Sequence, residues 1–301
     1  MNFKPASISI VAALLLICTI SYAAPDEQMF ASPALAVEAL TNALKANDDA
    51  ELVRIFGERN KDLVVTSDKT AIQESRQQTL AALAEATLLR TNDDKSISLV
   101  IGKNAWPMPI PLVQVEDKWY FDSDKGATEI LNRRIGANEL TAIEILRAYP
   151  DAQRRYAQHS HDQSEVRSFA RHIISTPGKK DGLYWETNSA EPDDISPFGP
   201  LVAEEGSPAV GEPYHGYYFK ILTAQGAQAP GGKYNYIING HLLAGFAMLA
   251  WPADYGSTGV KSFIVNHYGD VYEKDLGPAT ARSAHAISLY NPDKSWVKVS
   301  D

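Results

Sequence analysis

The chain has 301 residues, 45% of them hydrophobic and 22% charged, with one cysteine and a formal net charge of −9. That length suits one large domain or two ordinary ones, and two are expected. The acidic balance gives nucleic acid and anionic lipid no electrostatic hold, and a lone Cys18 excludes an intrachain disulfide or a cysteine metal cluster.

Lys4 precedes an apolar stretch from Ile8 to Ile20, and Ser21 and Ala23 put small residues at the two positions a signal peptidase reads. Residues 1–23 are therefore expected to be a signal peptide, and the chain a periplasmic or secreted bacterial protein. A lipid anchor on Cys18 would want a small residue where Ile17 stands. The apolar stretch is short for a bilayer span, so no stable membrane insertion is expected after cleavage.

Residues 24–137 read as an N-terminal α+β domain. Ser32 and Pro33 suit an N-cap and first helical position, and Ala36, Leu40, Ala43 and Leu44 form an apolar stripe. Asn47-Asp48-Asp49 predicts a turn, Ala50 to Phe56 a second helix ending at Gly57, and Lys69 to about Arg90 a third. Period-two stretches at Ser96–Ile101 and Leu112–Phe121 predict strands, the second folded at Glu116-Asp117. Pro107, Pro109 and Pro111 keep the stretch between them out of a central strand. Helices before a curved hairpin resemble NTF2-like and SnoaL-like domains, a resemblance of element order that covers roughly Phe30 to Asp122.

Residues 138–301 form the second expected domain. In NELTAIEILRAYPDAQRRYAQ, residues Ala142, Ile145, Tyr149, Ala152 and Tyr156 share one helical face, and Pro150 predicts a kink or a break. His172, in SFARHIIS, is placed on a helix. The Pro- and Gly-rich acidic stretch from Asn188 to Pro213 reads as a long exposed loop. Strands are expected at Tyr217–Leu222, Tyr234–Ile238, Leu242–Trp251 and Val260–Val265, with a hairpin at Gly269-Asp270.

The helix followed by GYYFKI and FAMLAWPADYGSTGVKSFIVNHYGDVY resembles the head domain of type IV pilin-like and pseudopilin proteins. The resemblance implies a helix packed on an antiparallel sheet, with Phe219, Phe246, Phe263 and Val265 as sheet-side partners. Pilins extend that helix N-terminally as an apolar membrane segment; here GATEILNRRIG and another domain precede it, so the head fold is implied and filament assembly is not. Over nearly its whole length the chain is similar to the exported bacterial family known as domain of unknown function 2950, through FDSDKGATEILNRRIGANELTAI, STPGKKDGLYW, SPFGPLV, GYYFKILTAQG and GVKSFIVNHYGDVYEKDLG. That family implies no activity and no catalytic residues.

Candidate chemistry has to be set against ordinary structural roles. His159 and His161 lack further ligands at metal spacing and suit a polar turn. His215, His241 and His267 adjoin strands or turns, where acid–base work competes with satisfying a buried backbone group. Glu191, Asp193 and Asp194, with Glu204 and Glu205 beyond, offer calcium-type oxygen ligands without EF-hand spacing, and a solvated acidic loop is the simpler reading. No cofactor is predicted. GSTGVKS lacks the spacing of a phosphate loop, and Gly256 and Gly259 suit a turn. Arg133 and Arg134 suit an anion or surface ion pairs. Tyr214, His215, Tyr217 and Tyr218 are a candidate ligand or partner surface, with sheet packing as the alternative for the aromatics.

Together these point to a noncatalytic interaction or assembly module of the cell envelope, with an envelope protein as partner. The alternative is a small-molecule hydrolase or isomerase with a pocket in the N-terminal domain or between domains, using His215 or Glu139.

Overall fold

Ser32 does at the first helix what its position predicts: its hydroxyl accepts from Leu35 N at 3.3 Å, and Pro33 opens α1 (Pro33–Ala46). Asn47, at φ 51°, closes it, and Asp48 then caps α2 (Asp49–Phe56) by accepting from Glu51 N at 3.0 Å. The computed structural model describes residues 26–65, 69–161, 166–186, 195–199 and 210–300. The expected signal peptide and the acidic candidates Glu191, Asp193, Asp194, Glu204 and Glu205 lie outside the described residues.

The third helix, α3 (Lys69–Glu85), stops short of the expected Arg90, because residues 87–91 are taken by a strand. β1 (Thr87–Thr91) pairs antiparallel with β2 (Ile97–Ile101), and the turn between them is closed by Asp94, which accepts from both the backbone and the hydroxyl of Ser96. Leu88, placed on the helical stripe by its spacing, is 60% exposed on this strand. A β-branched and aliphatic run beside a partner strand outweighs helix propensity.

β3 (Trp106–Pro107) is a two-residue pairing on β2, while β4 (Leu112–Val115) and β5 (Lys118–Phe121) form the expected hairpin over Glu116, at φ 54°. The antiparallel order is β1-β2-β4-β5. Leu40, Ile55, Phe56, Leu99, Leu112 and Phe121 fill the space under the sheet, with the Phe56 and Phe121 rings 5.2 Å apart. Arg76 is buried against this core and donates to Asn47, Asp49 and the Val64 carbonyl.

α4 (Ser123–Tyr156) begins well before Asn138 and is one 34-residue helix. The polar stretch that precedes Asn138 is helix-compatible, and Glu129 and Arg133 pair across one turn at 2.7 Å. Gly126 is needed near its start, since a Cβ there would lie 2.5 Å from Ile110 Cγ1. The chain divides into two compact units between Ala127 and Thr128, inside this helix, as is the boundary expected at 137/138.

Pro150 does not end α4. It forgoes a helix hydrogen bond at a cost of about 3 kcal/mol, and burial on both sides offsets it: Tyr149, Ala152 and Gln153 are fully buried and Tyr156 nearly so. Gln153 adds a clamp, accepting from Ala170 N at 2.8 Å and donating to Ala170 O at 2.9 Å as a backbone strand would. The helix stripe shares one core with the sheet of the second unit, where Tyr149 meets Phe246 edge-on at 5.3 Å and donates to Ala247 O.

That sheet runs β16-β15-β14-β13-β8, all antiparallel: β8 (Tyr217–Leu222), β13 (Ala247–Pro252), β14 (Lys261–Asn266), β15 (Tyr272–Asp275) and β16 (Val297–Lys298). β13 is buried at every position. The strand expected at Tyr234–Ile238 divides between two ribbons, β9 (Ala224–Gln225) with β10 (Tyr234–Asn235) and β11 (Ile237–Ile238) with β12 (His241–Leu242), and the one expected at Leu242–Trp251 divides between β12 and β13. Gly240, at φ 84°, sits in the turn from β11 to β12, and Gly245, at φ 151°, separates β12 from β13. His172 lies on a strand and not on a helix: β6 (His172–Ile174) pairs in parallel with β7 (Gly182–Tyr184). A Cβ on Gly182 would lie 2.8 Å from the Ile174 backbone, so only glycine permits this approach. Among the described residues no helix is long and apolar enough to cross a membrane. The fold class is α+β, as expected.

Candidate functional site

β6 separates two concavities in the second unit. The first is an apolar cleft of about 300 Å³, at the lower end of ligand-site volumes. Ile145 of α4 and Met248 of β13 lie along it, with Ile173 and Ile174 of β6 on one side and Tyr218, Phe219 and Ile221 of β8 on another. Phe198, Tyr184, Val210, Glu212 and Tyr214 complete the lining. Val210 is 76% exposed, an unusual state for a valine beside an apolar concavity.

The second, of about 200 Å³, is polar: His161, His172, His241, Asp181, Ser168 and Arg171 line it, together with Tyr156 and Phe169. His161 stacks on Tyr156 with ring centroids 3.9 Å apart and hydrogen-bonds to the Tyr156 carbonyl through Nε2. Burial works against ionising Asp181, but hydrogen bonds from the Thr176 amide and hydroxyl, with the nearby His172, outweigh it and hold its carboxyl below the usual range. Among the described residues no three His, Cys, Asp or Glu side chains are grouped to hold a metal ion.

Arg171 and His172 line both concavities. Arg171 is exposed, and among the described residues its guanidinium reaches only the Gly240 carbonyl, at 3.4 Å. Such a contact is at the long end of hydrogen bonding. No carboxylate pairs with it among the described residues.

Tyr214 and Tyr218 line the apolar cleft; His215 and Tyr217, named with them as a surface, do not. Tyr214 and Tyr217 pair across a two-residue turn in which His215 (φ 48°) and Gly216 (φ 72°) both take left-handed backbone, the geometry of a tight hairpin. Glycine at 216 also makes room, since a Cβ would sit 2.7 Å from Asn138 Nδ2. Tyr217 is fully buried and donates to Lys261 O at 2.8 Å. Burial, with the Glu139 charge adding to it, pushes its phenol well above the usual value.

Glu139 accepts from the amides of Val260 and Lys261, both at 2.9 Å, while Asn138 donates to Thr258 O. Both side chains fasten the helix to the GSTGVKS turn, where Gly259 must lack a side chain because a Cβ would fall 2.1 Å from the Tyr217 hydroxyl. His241 reaches the polar concavity; His267 does not. The His267 ring lies among Tyr236, Phe246 and Tyr268, with Nδ1 buried and unpartnered. Burial depresses its pKa and the Arg154 charge adds to this, against the opposing Phe246 backbone contact. His285 packs edge-on to Trp251.

Sequence spacing did not reveal Arg171, or the meeting of His161, His172 and His241. The Phe169–Leu242 bridge, the Arg171 contact to Gly240 and the stacking of His161 on Tyr156 bring them together, and no spacing in SFARHIIS, placed on a helix, pointed there.

The profile of a family described as Protein of unknown function (DUF2950) matches residues 27–299. No curated protein matches the chain, and no solved structure does.

Proposed function

The chain belongs to the DUF2950 family, which brings no activity with it, and we propose that it is an exported, noncatalytic interaction module of the cell envelope that holds an apolar segment of an envelope protein. The observation carrying this reading is the apolar cleft between β6 and β8, with Tyr214 and Tyr218 on its wall and Val210 exposed beside it. Amphipathic rings around a desolvated concavity are a common recognition surface. Export is supported by the Lys4 to Ala23 pattern alone.

The likeness to pilin heads rests on the α4 stripe sharing a core with an antiparallel sheet, and that of the first unit to NTF2-like domains on helices preceding one. The hydrolase or isomerase alternative is weakened where it was most specific. Glu139 is occupied by two backbone amides and His215 shapes a turn.

A photo-crosslinking residue placed at Val210 of the full chain, in native envelope extract, tests the reading. One dominant adduct is expected, absent when the same residue replaces the exposed Leu88 of the first unit and lost when Ile173→Asp charges the cleft. Equal labelling from both positions, or an adduct indifferent to Ile173→Asp, sinks it.

A further inference from the structure

The cleft is mainly apolar, with tyrosines on its walls and charged groups of opposite sign at its margins. Glu212 and Arg171 both line it without pairing to one another. Glu212 repels an anion and the Arg171 guanidinium attracts one, so the Arg171 margin is where a carboxylate would sit. A guanidinium at the margin of an apolar site binds a carboxylate through two parallel hydrogen bonds, and the low-dielectric surroundings strengthen the pair.

The form of the segment follows from its backbone. A chain passing through the cleft would bring N–H and C=O groups on both sides of its buried side chains and no backbone carboxylate for Arg171. A chain end brings one such arm and finishes in a carboxylate. The volume agrees: at about 30 Å³ per water-sized group, the cleft holds on the order of ten heavy atoms, or about two medium apolar side chains.

Resting on the interaction reading above, we propose that the segment held is the C-terminal end of an envelope protein, with its α-carboxylate on the Arg171 guanidinium and its last apolar side chains in the cleft.

The test uses the full-length chain and N-terminally fluorescein-labelled Ser-Gly-Ser-Gly-Leu-Phe, read by fluorescence anisotropy. Three forms are compared: the free acid, the C-terminal amide, and the sequence extended by Gly-Ser-amide so that the apolar pair is internal. The free acid is expected to bind at least tenfold more tightly than either neutral form, less so at high salt. Arg171→Gln, at an exposed position that the fold does not need, is expected to bring the free acid down to the amide's affinity and to leave the amide unchanged; Arg171→Lys should retain part of the difference.

Equal binding of acid and amide overturns the terminal-carboxylate assignment while leaving an apolar-segment site in place. Failure of all three peptides, with the Val210 adduct still formed, overturns the assignment alone; failure of both overturns the interaction reading as well. Octanoate displacing the free acid at matching affinity also overturns it, since the cleft would then be a site for small apolar carboxylates.

Discussion

In the unit that ends at Ala127, most polar side chains that hold backbone act within a turn or two of their own position: Ser32 on Leu35, Asp48 on Glu51, Asp94 on Ser96. In the unit from Thr128 many of them reach across the chain. Tyr149 holds Ala247, Glu139 holds Val260 and Lys261, Tyr217 holds Lys261, and Gln153 holds Ala170. Local bonds form at little loop-closure cost and fail locally, whereas long-range ones are made together and are expected to fail together. The candidate site lies in the second kind of structure, on a short parallel pair that no local signal specifies.

Gln153→Ala should produce the largest effect. It strands the Ala170 N–H and C=O and removes the donor to the Tyr149 hydroxyl, all buried, for a loss of about 3 kcal/mol. Hydrogen exchange should show protection falling together across β6, β8 and β13, with residues 33–56 unaffected. Fraying confined to residues 168–172 would break the comparison. Gly259→Ala comes next, at about 2 kcal/mol, because the new methyl enters the space of the Tyr217 ring. In a Tyr217→Leu background the same change should cost measurably less by urea unfolding, as coupled neighbours do.

The same contrast explains what the sequence disclosed. Caps, the α1 stripe, the Glu116 hairpin and strands β8 and β14 follow from residues within a few positions of one another. The burial of Ala142, Ile145, Tyr149, Ala152 and Tyr156 is legible from spacing as well. The persistence of α4 through Pro150 is not, since it depends on Gln153 finding Ala170 beyond the helix end. Nor is the strand at Thr87–Thr91, where pairing with β2 overrides a helical period, or Arg171, whose importance comes from the apolar walls that other strands place beside it. Glu139 looked like a free acid because its donors, the amides at 260 and 261, are remote in sequence.

In the first unit, Asp48→Ala removes the cap of α2 and should cost about 1 kcal/mol, with Asp48→Asn restoring most of it. Exchange protection should fall in Asp49–Phe56 and stay unchanged in β4 and β5. A loss shared by the whole unit would show that its local bonds are as cooperative as the long-range ones beyond Ala127.

The smallest effect is a pH dependence confined to the second unit. His267 is held below its usual pKa first by burial and then by Arg154, which donates to the His267 carbonyl at 3.0 Å, and the Tyr236 and Tyr268 rings beside it supply no compensating charge. Because the folded state resists protonation, the unfolded chain binds the proton first as pH falls below about 6.5. Stability of this unit is therefore full above that pH and declines as pH falls toward the depressed folded value. The carboxylates with lowered pKa, Asp94, Asp181 and Asp293, take effect only in the more acidic carboxylate range, so the windows separate. His267→Gln should flatten the slope between pH 6.5 and 5 in urea titrations followed by exchange in β13 and β14, while leaving the first unit's profile unchanged. A slope that survives the substitution would assign it to another group and leave His267 as packing alone.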